Sequence, residues 1–359
     1  MKSLLLSILL VLTLSINSAF ACTTFCLKTT NRVLFGRNYD WDIGDGLIFV
    51  NKRGVAKIST GGDSPNPAKW VSRYGSVTFN QYGRENPTGG MNEAGLVVEE
   101  LWLMETKYPV DPKLPVIDTQ EWIQYELDTS ATVTEAIANA RKVRIASEVK
   151  VHFMISDKSG NAVTIEFLNG SLVANSGKQL AIQTLTNDTY AKSLSYLNAA
   201  RVENAKSSSS LDRFYRAARQ TQDFAKQQRN EEEAISYAFD ILSNVAQKPV
   251  GTQWSIVYDQ LRRKIHFRTE QNQQIRTIDT TKFDFSCGTE VKILDANLSG
   301  SGDVTDKFVT YTRKANRDLL ERSFNGTDFL KDIPVSIRDF FAAYPESFPC
   351  QGATSVSSQ

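Results

Sequence analysis

Two blocks of alternating apolar and polar residues bracket a helical middle, and that order limits the fold more than any other feature of the chain. Thr23-Thr24-Phe25-Cys26-Leu27 and Val33-Leu34-Phe35-Gly36-Arg37-Asn38 are β-rich runs around a polar connection, which predicts a hairpin with Cys22 at its open end. Residues 96–103 read as a strand after the turn Gly89-Gly90-Met91-Asn92-Glu93-Ala94-Gly95. Runs 151–155 and 162–167 predict a hairpin around Asp157-Lys158-Ser159-Gly160-Asn161, and 180–184 predicts a further strand. Runs 253–258 and 264–269 close the pattern with another hairpin. Between runs 96–103 and 151–155, Thr132 and Glu135 form a capping box ahead of Val133, Ala136, Ile137 and Ala140, a helical stripe. Leu211, Phe214, Tyr215 and Ala218 give a second stripe, and Ile235, Ala238, Phe239 and Leu242 a third. Strands, helices and strands again, without regular βαβ alternation, predict a layered α+β domain.

The start of the chain points to chemistry. Lys2, an apolar run from Leu4 to Leu14, and small Ala19 and Ala21 read as a secretory signal peptide over residues 1–21. That run is too short to span a bilayer. Removal of 1–21 would place the Cys22 thiol and an α-amino group on one residue. A free α-amino group has a pKa of about 7.7–8.0 and can take the thiol proton near neutral pH. A lipoprotein signal would also leave Cys22 first, but would acylate it. Phe20 is bulky where such a signal has a small residue, and Ala19 stands where it has Leu.

Charge and side-chain inventory exclude several classes. Net charge is +1 from 41 basic and 40 acidic residues, with no long block of one sign beyond Glu231-Glu232-Glu233, so nucleic acid and anionic membranes are poor partners. After the leader no run reaches transmembrane length. Two histidines far apart, His152 and His266, and no CxxC pair disfavour a metal centre, and no cofactor motif is present. Cys287 and Cys350 could pair in an oxidising compartment, their separation in space being open at this level. The chain divides as a leader 1–21, a main domain 22–290, and a C-terminal extension 291–359, packed on the same domain and ending in a frayed tail.

Taken together, Cys22-Thr23-Thr24, Phe35-Gly36-Arg37-Asn38-Tyr39-Asp40, Gly90-Met91-Asn92-Glu93-Ala94-Gly95-Leu96, Thr186-Asn187 and Leu211-Asp212-Arg213-Phe214 resemble the choloylglycine hydrolase and penicillin V acylase family. The resemblance runs to about Arg268 and covers most of the chain after the leader. It implies a four-layer αββα fold of the N-terminal-nucleophile hydrolase type, and hydrolysis of linear C–N amides. It implies Cys22 as nucleophile, Arg37 beside the sulfur favouring thiolate, and Asp40 orienting the terminal amine. It implies the Asn92 backbone N–H and the Asn187 side-chain amide as oxyanion donors, with Gly89 and Gly90 letting backbone approach substrate. Arg213 is the second arginine. Arg201 is its alternative, at the spacing of acid ceramidase-like amidases. Outside this pattern Arg37 would read as a strand-end ion pair, Asp40 as a turn cap and Asn92 as a turn residue. Arg37 and Asp40, three residues apart, fall on opposite faces of a regular strand, so a shared site requires the strand to end or bulge near Asn38 and Tyr39.

The expected substrate is a small N-acyl amide with an apolar acyl group, since Trp41, Trp102, Leu103 and Met104 adjoin the motif positions and could line its pocket. Bile salts, phenoxyacetyl penicillins, N-acyl homoserine lactones and N-acyl amino acids all stay open, as does a homo-oligomer. The expected location is periplasmic or secreted. Two alternatives are an acid ceramidase or N-acylethanolamine amidase-like hydrolase, and a non-enzymatic lipoprotein anchored at Cys22.

Overall fold

The computed structural model describes residues 22–61, 64–199, 205–227, 231–247 and 251–351. In chain order, β1 (Thr23–Lys28) and β2 (Val33–Asp40) form the first hairpin, followed by β3 (Leu47–Asn51), β4 (Ala56–Ile58), β5 (Lys69–Val71), β6 (Ser76–Asn80), β7 (Gly89–Asn92), β8 (Val97–Trp102) and β9 (Val116–Ile117). Helices α1 (Thr119–Thr129) and α2 (Val133–Ala140) lead to β10 (Arg144–Ile145), β11 (Val151–Ser156), β12 (Ala162–Leu168), β13 (Ser171–Ser176) and β14 (Thr184–Leu185). Then come α3 (Tyr190–Ala199), α4 (Ser210–Lys226), α5 (Glu231–Val245), β15 (Thr252–Asp259), β16 (Lys264–Thr269) and β17 (Arg276–Asp279). The described chain ends with β18 (Lys292–Asp295), β19 (Gly302–Asp303), β20 (Val309–Thr310), α6 (Arg313–Asn325) and α7 (Val335–Ala343).

Two large sheets result. One has seven strands in the order β14-β1-β2-β15-β16-β17-β19, the other nine in the order β13-β12-β11-β8-β7-β6-β3-β18-β20. Their facing surfaces bury a shared core containing Phe35, Tyr39, Phe79, Met91, Leu101, Trp254 and Tyr258. On the outer side of the first sheet, Phe25, Leu27, Leu34 and Val257 pack on Ala217, Ala238 and Leu242 of α4 and α5. On the outer side of the second, Val98, Phe153 and Ile165 pack on Trp122, Ile123 and Ala136 of α1 and α2. This is the αββα sandwich expected above, and each strand serves two layers through its alternation.

Local chemistry explains the ends. Thr132 accepts from the Glu135 backbone while Glu135 reaches back, so α2 begins with the predicted capping box, and Asp118 with Glu121 repeats the device at α1. Gly36 faces Phe25 across the first hairpin, where a Cβ would come within 2.3 Å of the ring. That ring is fully buried, a contribution of about 1.5–3 kcal/mol.

Two expectations change. Residues 180–184 pack by Leu180 but contribute to a strand only at β14, while β13, half-exposed and rich in Ser and Asn, was not foreseen. The buried face of α4 is centred on Asp212, Arg213, Phe214, Ala217 and Ala218, rotated from the stripe of Leu211 and Tyr215. Segment 291–351 supplies β18 and β20 to the nine-stranded sheet and β19 to the other. Cys287 and Cys350 form a disulfide, Cα to Cα 5.5 Å, while Cys22 and Cys26 stay free and buried. The leader 1–21, Arg201 and the tail 352–359 lie outside the described residues.

Candidate active site

Cys22 immediately precedes β1, and the alternation of β1 decides what it meets. Thr24 pairs with Arg37 and Thr23 with Asn38, so Cys22, Arg37 and Tyr39 belong to the inter-sheet face, whereas Thr23, Asn38 and Asp40 belong to the helix face. Arg37 and Asp40 do occupy opposite faces of β2. They still reach one site, because Cys22 lies at a strand end, where sulfur and backbone can be approached from different sides. Of the two expected devices the strand uses an end, β2 stopping at Asp40; the register shift lies on the neighbouring strand, between Thr252 and Trp254 of β15.

On the sulfur side, Cys22 and Arg37 line a cavity of about 400 Å³ together with Tyr39, Trp41, Leu101 and Trp102. Thr60, Tyr82, Asn86, Glu100, Asp118, Gln120 and Val151 continue the wall, and Phe324, Phe329, Leu330, Ile333 and Phe341 from the C-terminal arm complete it. Of the four apolar residues expected there, Trp41 and Trp102 take part; Leu103 is fully buried and Met104 is exposed. The Arg37 guanidinium is itself buried, in contact with the Glu99 carboxylate, donates to Thr88 O at 3.0 Å and Glu100 O at 3.2 Å, and stands 4.8 Å over the Tyr39 ring. Burial is the largest influence and works against its charge, but Glu99, Cys22, Tyr258 and Glu100 together outweigh it and hold its pKa above the ordinary arginine value. The Cys22 thiol is pushed up to about 11 by burial, with Arg37 pulling the other way and losing. Arg37 thus favours the thiolate, as the motif implies, while burial opposes it more strongly.

On the backbone side, Arg213 sits near the start of α4, whose N-cap Ser209 accepts from the Asp212 N–H. It is 1 % exposed and donates through Nη1 to Cys22 O and Thr23 Oγ1, both at 2.7 Å, and through Nη2 to Asn187 Oδ1 at 2.8 Å. Asn187 donates from Nδ2 to Trp102 O at 2.9 Å. Arginine only donates and a carbonyl only accepts, so these contacts fix which way the Asn187 amide faces. Nδ2 keeps a second N–H. Thr252 donates to Asp40 Oδ1, while Asp40 Oδ2 is buried with no hydrogen-bond partner among the described residues. Burial pushes the Asp40 carboxyl up to about 6 against Arg213, Thr252 and Arg37.

Asn92 is not part of this arrangement. Its N–H donates to Leu96 O at 3.0 Å, its Oδ1 accepts from Ala94 and Leu96, and its Nδ2 donates to Leu127 O and Ser130 O at the end of α1. It closes the β7–β8 hairpin, with Gly95 at φ 87° finishing the turn. The expectation of an oxyanion donor at Asn92 fails because its backbone N–H is already used. Gly89 and Gly90 serve strand packing instead, since a Cβ would collide with Glu99 or with Val77 O. Glu99, Thr252 and Thr23 were missed. Glu99-Glu100, two carboxylates inside an apolar strand, was the available signal.

The description "Linear amide C-N hydrolases, choloylglycine hydrolase family" matches residues 22–211, the stretch that carries Cys22, Arg37, Asp40 and Asn187. The chain belongs to that family. Among relatives of this choloylglycine hydrolase family member, penicillin V acylase from Pectobacterium atrosepticum is 26 % identical, covering 77 % of this chain and 86 % of that protein. The structure of penicillin V acylase from Agrobacterium tumefaciens superposes with a TM-score of 0.72 at 32 % identity, over 81 % of this chain and 98 % of that one. A conjugated bile acid hydrolase variant from Clostridium perfringens, at TM-score 0.66 and 19 % identity over 78 % and 99 %, shares the fold. No helix among the described residues is long and apolar enough to cross a membrane.

Proposed function

We propose that this linear amide hydrolase cleaves a small N-acyl amide through a thioester on Cys22, after export and removal of residues 1–21. The observation that carries the reading is the buried, unpartnered Asp40 Oδ2, on a residue whose backbone oxygen lies 4.0 Å from the Cys22 sulfur; that carboxylate oxygen is the acceptor we assign to the amine that cleavage creates. A thiol held protonated by burial needs a base at hand, and that amine is one.

In this scheme the amine takes the Cys22 proton as Sγ attacks the amide carbonyl. The carbonyl oxygen gains negative charge and meets the second Nδ2–H of Asn187, whose amide is braced by Arg213 and Trp102 O. Collapse breaks the C–N bond, the proton passes to the leaving amine, and the acyl group stays on sulfur. Water then attacks the thioester carbonyl and gives its proton to the Cys22 amine; the C–S bond breaks, the acid leaves, and the proton returns from the amine to Sγ. The acyl group occupies the cavity lined by Trp41, Trp102 and the aromatic side chains of the C-terminal arm. The names of the two penicillin V acylases support an acyl amide of this size.

The test is the exported protein assayed on a panel of N-acyl amides beside Cys22→Ser. The reading expects turnover by the protein that begins at Cys22 and loss of most of it in the variant, an alcohol being far less acidic than a thiol. Full activity in Cys22→Ser rules it out.

A further inference from the structure

The acyl cavity holds one feature that a purely apolar acyl chain would leave unsatisfied. Glu100 of β8 is 8 % exposed and lines the cavity. Gln120 meets its carboxyl, but Oε2 has no hydrogen-bond partner among the described residues. Arg37 does not supply one, since its Nη2 goes to the Glu100 backbone oxygen and its Nη1 to Glu99 and Thr88. Asp118, in the same wall, is engaged as the cap of α1, accepting from the Gln120 N–H at 3.2 Å. The surrounding wall is Trp41, Trp102, Phe324 and Phe341.

We infer that Glu100 is a specificity-determining residue of the acyl cavity, and that the preferred substrates carry a hydroxyl on the acyl chain which hydrogen-bonds its carboxyl. The inference rests on the reading of this cavity as the acyl site. A buried polar oxygen with no partner is a cost that a ligand hydroxyl recovers and a methylene does not. A hydroxyl also suits either ionisation state, accepting from a carboxylic acid and donating to a carboxylate. Burial pushes this carboxyl up to about 8 against the pull of Arg37, with Glu99 and Asp118 reinforcing the rise, so near neutral pH it holds a proton to donate.

The experiment compares chromogenic decanoyl amides, plain and carrying one hydroxyl at successive carbons, on the wild-type protein, Glu100→Gln and Glu100→Leu. At one position the hydroxyl should raise kcat/KM about three- to tenfold in the wild type, the gain of one buried hydrogen bond. Glu100→Leu should bring the ratio of hydroxylated to plain chain down to about one, whatever its turnover of the plain chain, and Glu100→Gln, which keeps a donor and an acceptor, should retain part of the preference. In parallel, binding of decanoic acid and its hydroxy derivatives is measured by thermal shift, which needs no turnover. If no amide is cleaved, the hydrolase reading fails while the binding series still decides this inference. A plain chain favoured at every position, or a hydroxyl preference that survives in Glu100→Leu, overturns it.

Discussion

Arg213 and Asn187, 26 residues apart in sequence, are joined by a 2.8 Å hydrogen bond from guanidinium to amide oxygen, and the same guanidinium holds the Cys22 carbonyl at 2.7 Å. One side chain from α4 thus fixes both the residue that bears the sulfur and the amide proposed to face the reacting carbonyl. Arg213→Leu should therefore abolish turnover, while Arg201→Leu stays within a few fold. Assay of both variants on one N-acyl amide, with thermal melts to exclude unfolding, separates the two arginines. A dead Arg201→Leu with an active Arg213→Leu would shift the assignment to the ceramidase-like spacing.

In the proposed mechanism Asn187 acts through its remaining Nδ2–H. Truncation in Asn187→Ala should lower kcat by about 10²–10³ with a smaller change in KM, the usual cost of one oxyanion donor. Steady-state kinetics on a soluble variant checks it, and a rise confined to KM speaks for a binding role instead.

Breaking the Arg37–Glu99 contact should act mainly on folding. Arg37→Met strands a carboxylate in the inter-sheet core, a loss of about 3–5 kcal/mol, whereas the double variant Arg37→Met with Glu99→Gln should recover a large part of it. Denaturant unfolding of the two proteins reads the difference directly.

Glu100 makes stability depend on pH in a defined direction. Its folded pKa, about 8, lies above the ordinary value of 4.5, so the folded state binds the proton more tightly than the unfolded chain. That contribution is complete below about pH 4.5 and is lost as pH rises through about 8. Thermal melts between those limits should show a fall in Tm that Glu100→Gln reduces, while Arg37, Glu99 and Asp118 still face the site.

The sequence was legible wherever local chemistry decides structure. The first hairpin, the Thr132–Glu135 cap and the β15–β16 hairpin follow from alternation and side-chain-to-backbone bonds among near neighbours, and the ordered motifs marked Cys22, Arg37, Asp40, Asn187 and Arg213, which the structure brings together. It was illegible where a residue's partners are remote. Asn92 has the composition of a donor loop, yet its local turn and the distant end of α1 consume its polar atoms. The C-terminal arm carries no motif, and its role in the cavity wall depends on β18 pairing with β3 and on the Cys287–Cys350 link.

That link gives a further expectation. Replacing Cys287 and Cys350 by Ala frees the arm that presents Phe324, Phe329 and Phe341, so KM for apolar acyl amides should rise more than kcat falls. The fold should also lose about 2–5 kcal/mol. Kinetics beside denaturant melts of the double variant checks both, and an unchanged KM would separate the arm from substrate binding.

The most direct test of the central claim is the intact mass of the exported, active protein, acid-quenched during turnover of an N-acyl amide. The account predicts a chain that begins at Cys22 with a free amine and gains the mass of one acyl group, located on the peptide that starts at Cys22 and released by hydroxylamine. An active protein that retains residues 1–21, or an acyl group carried elsewhere, contradicts it.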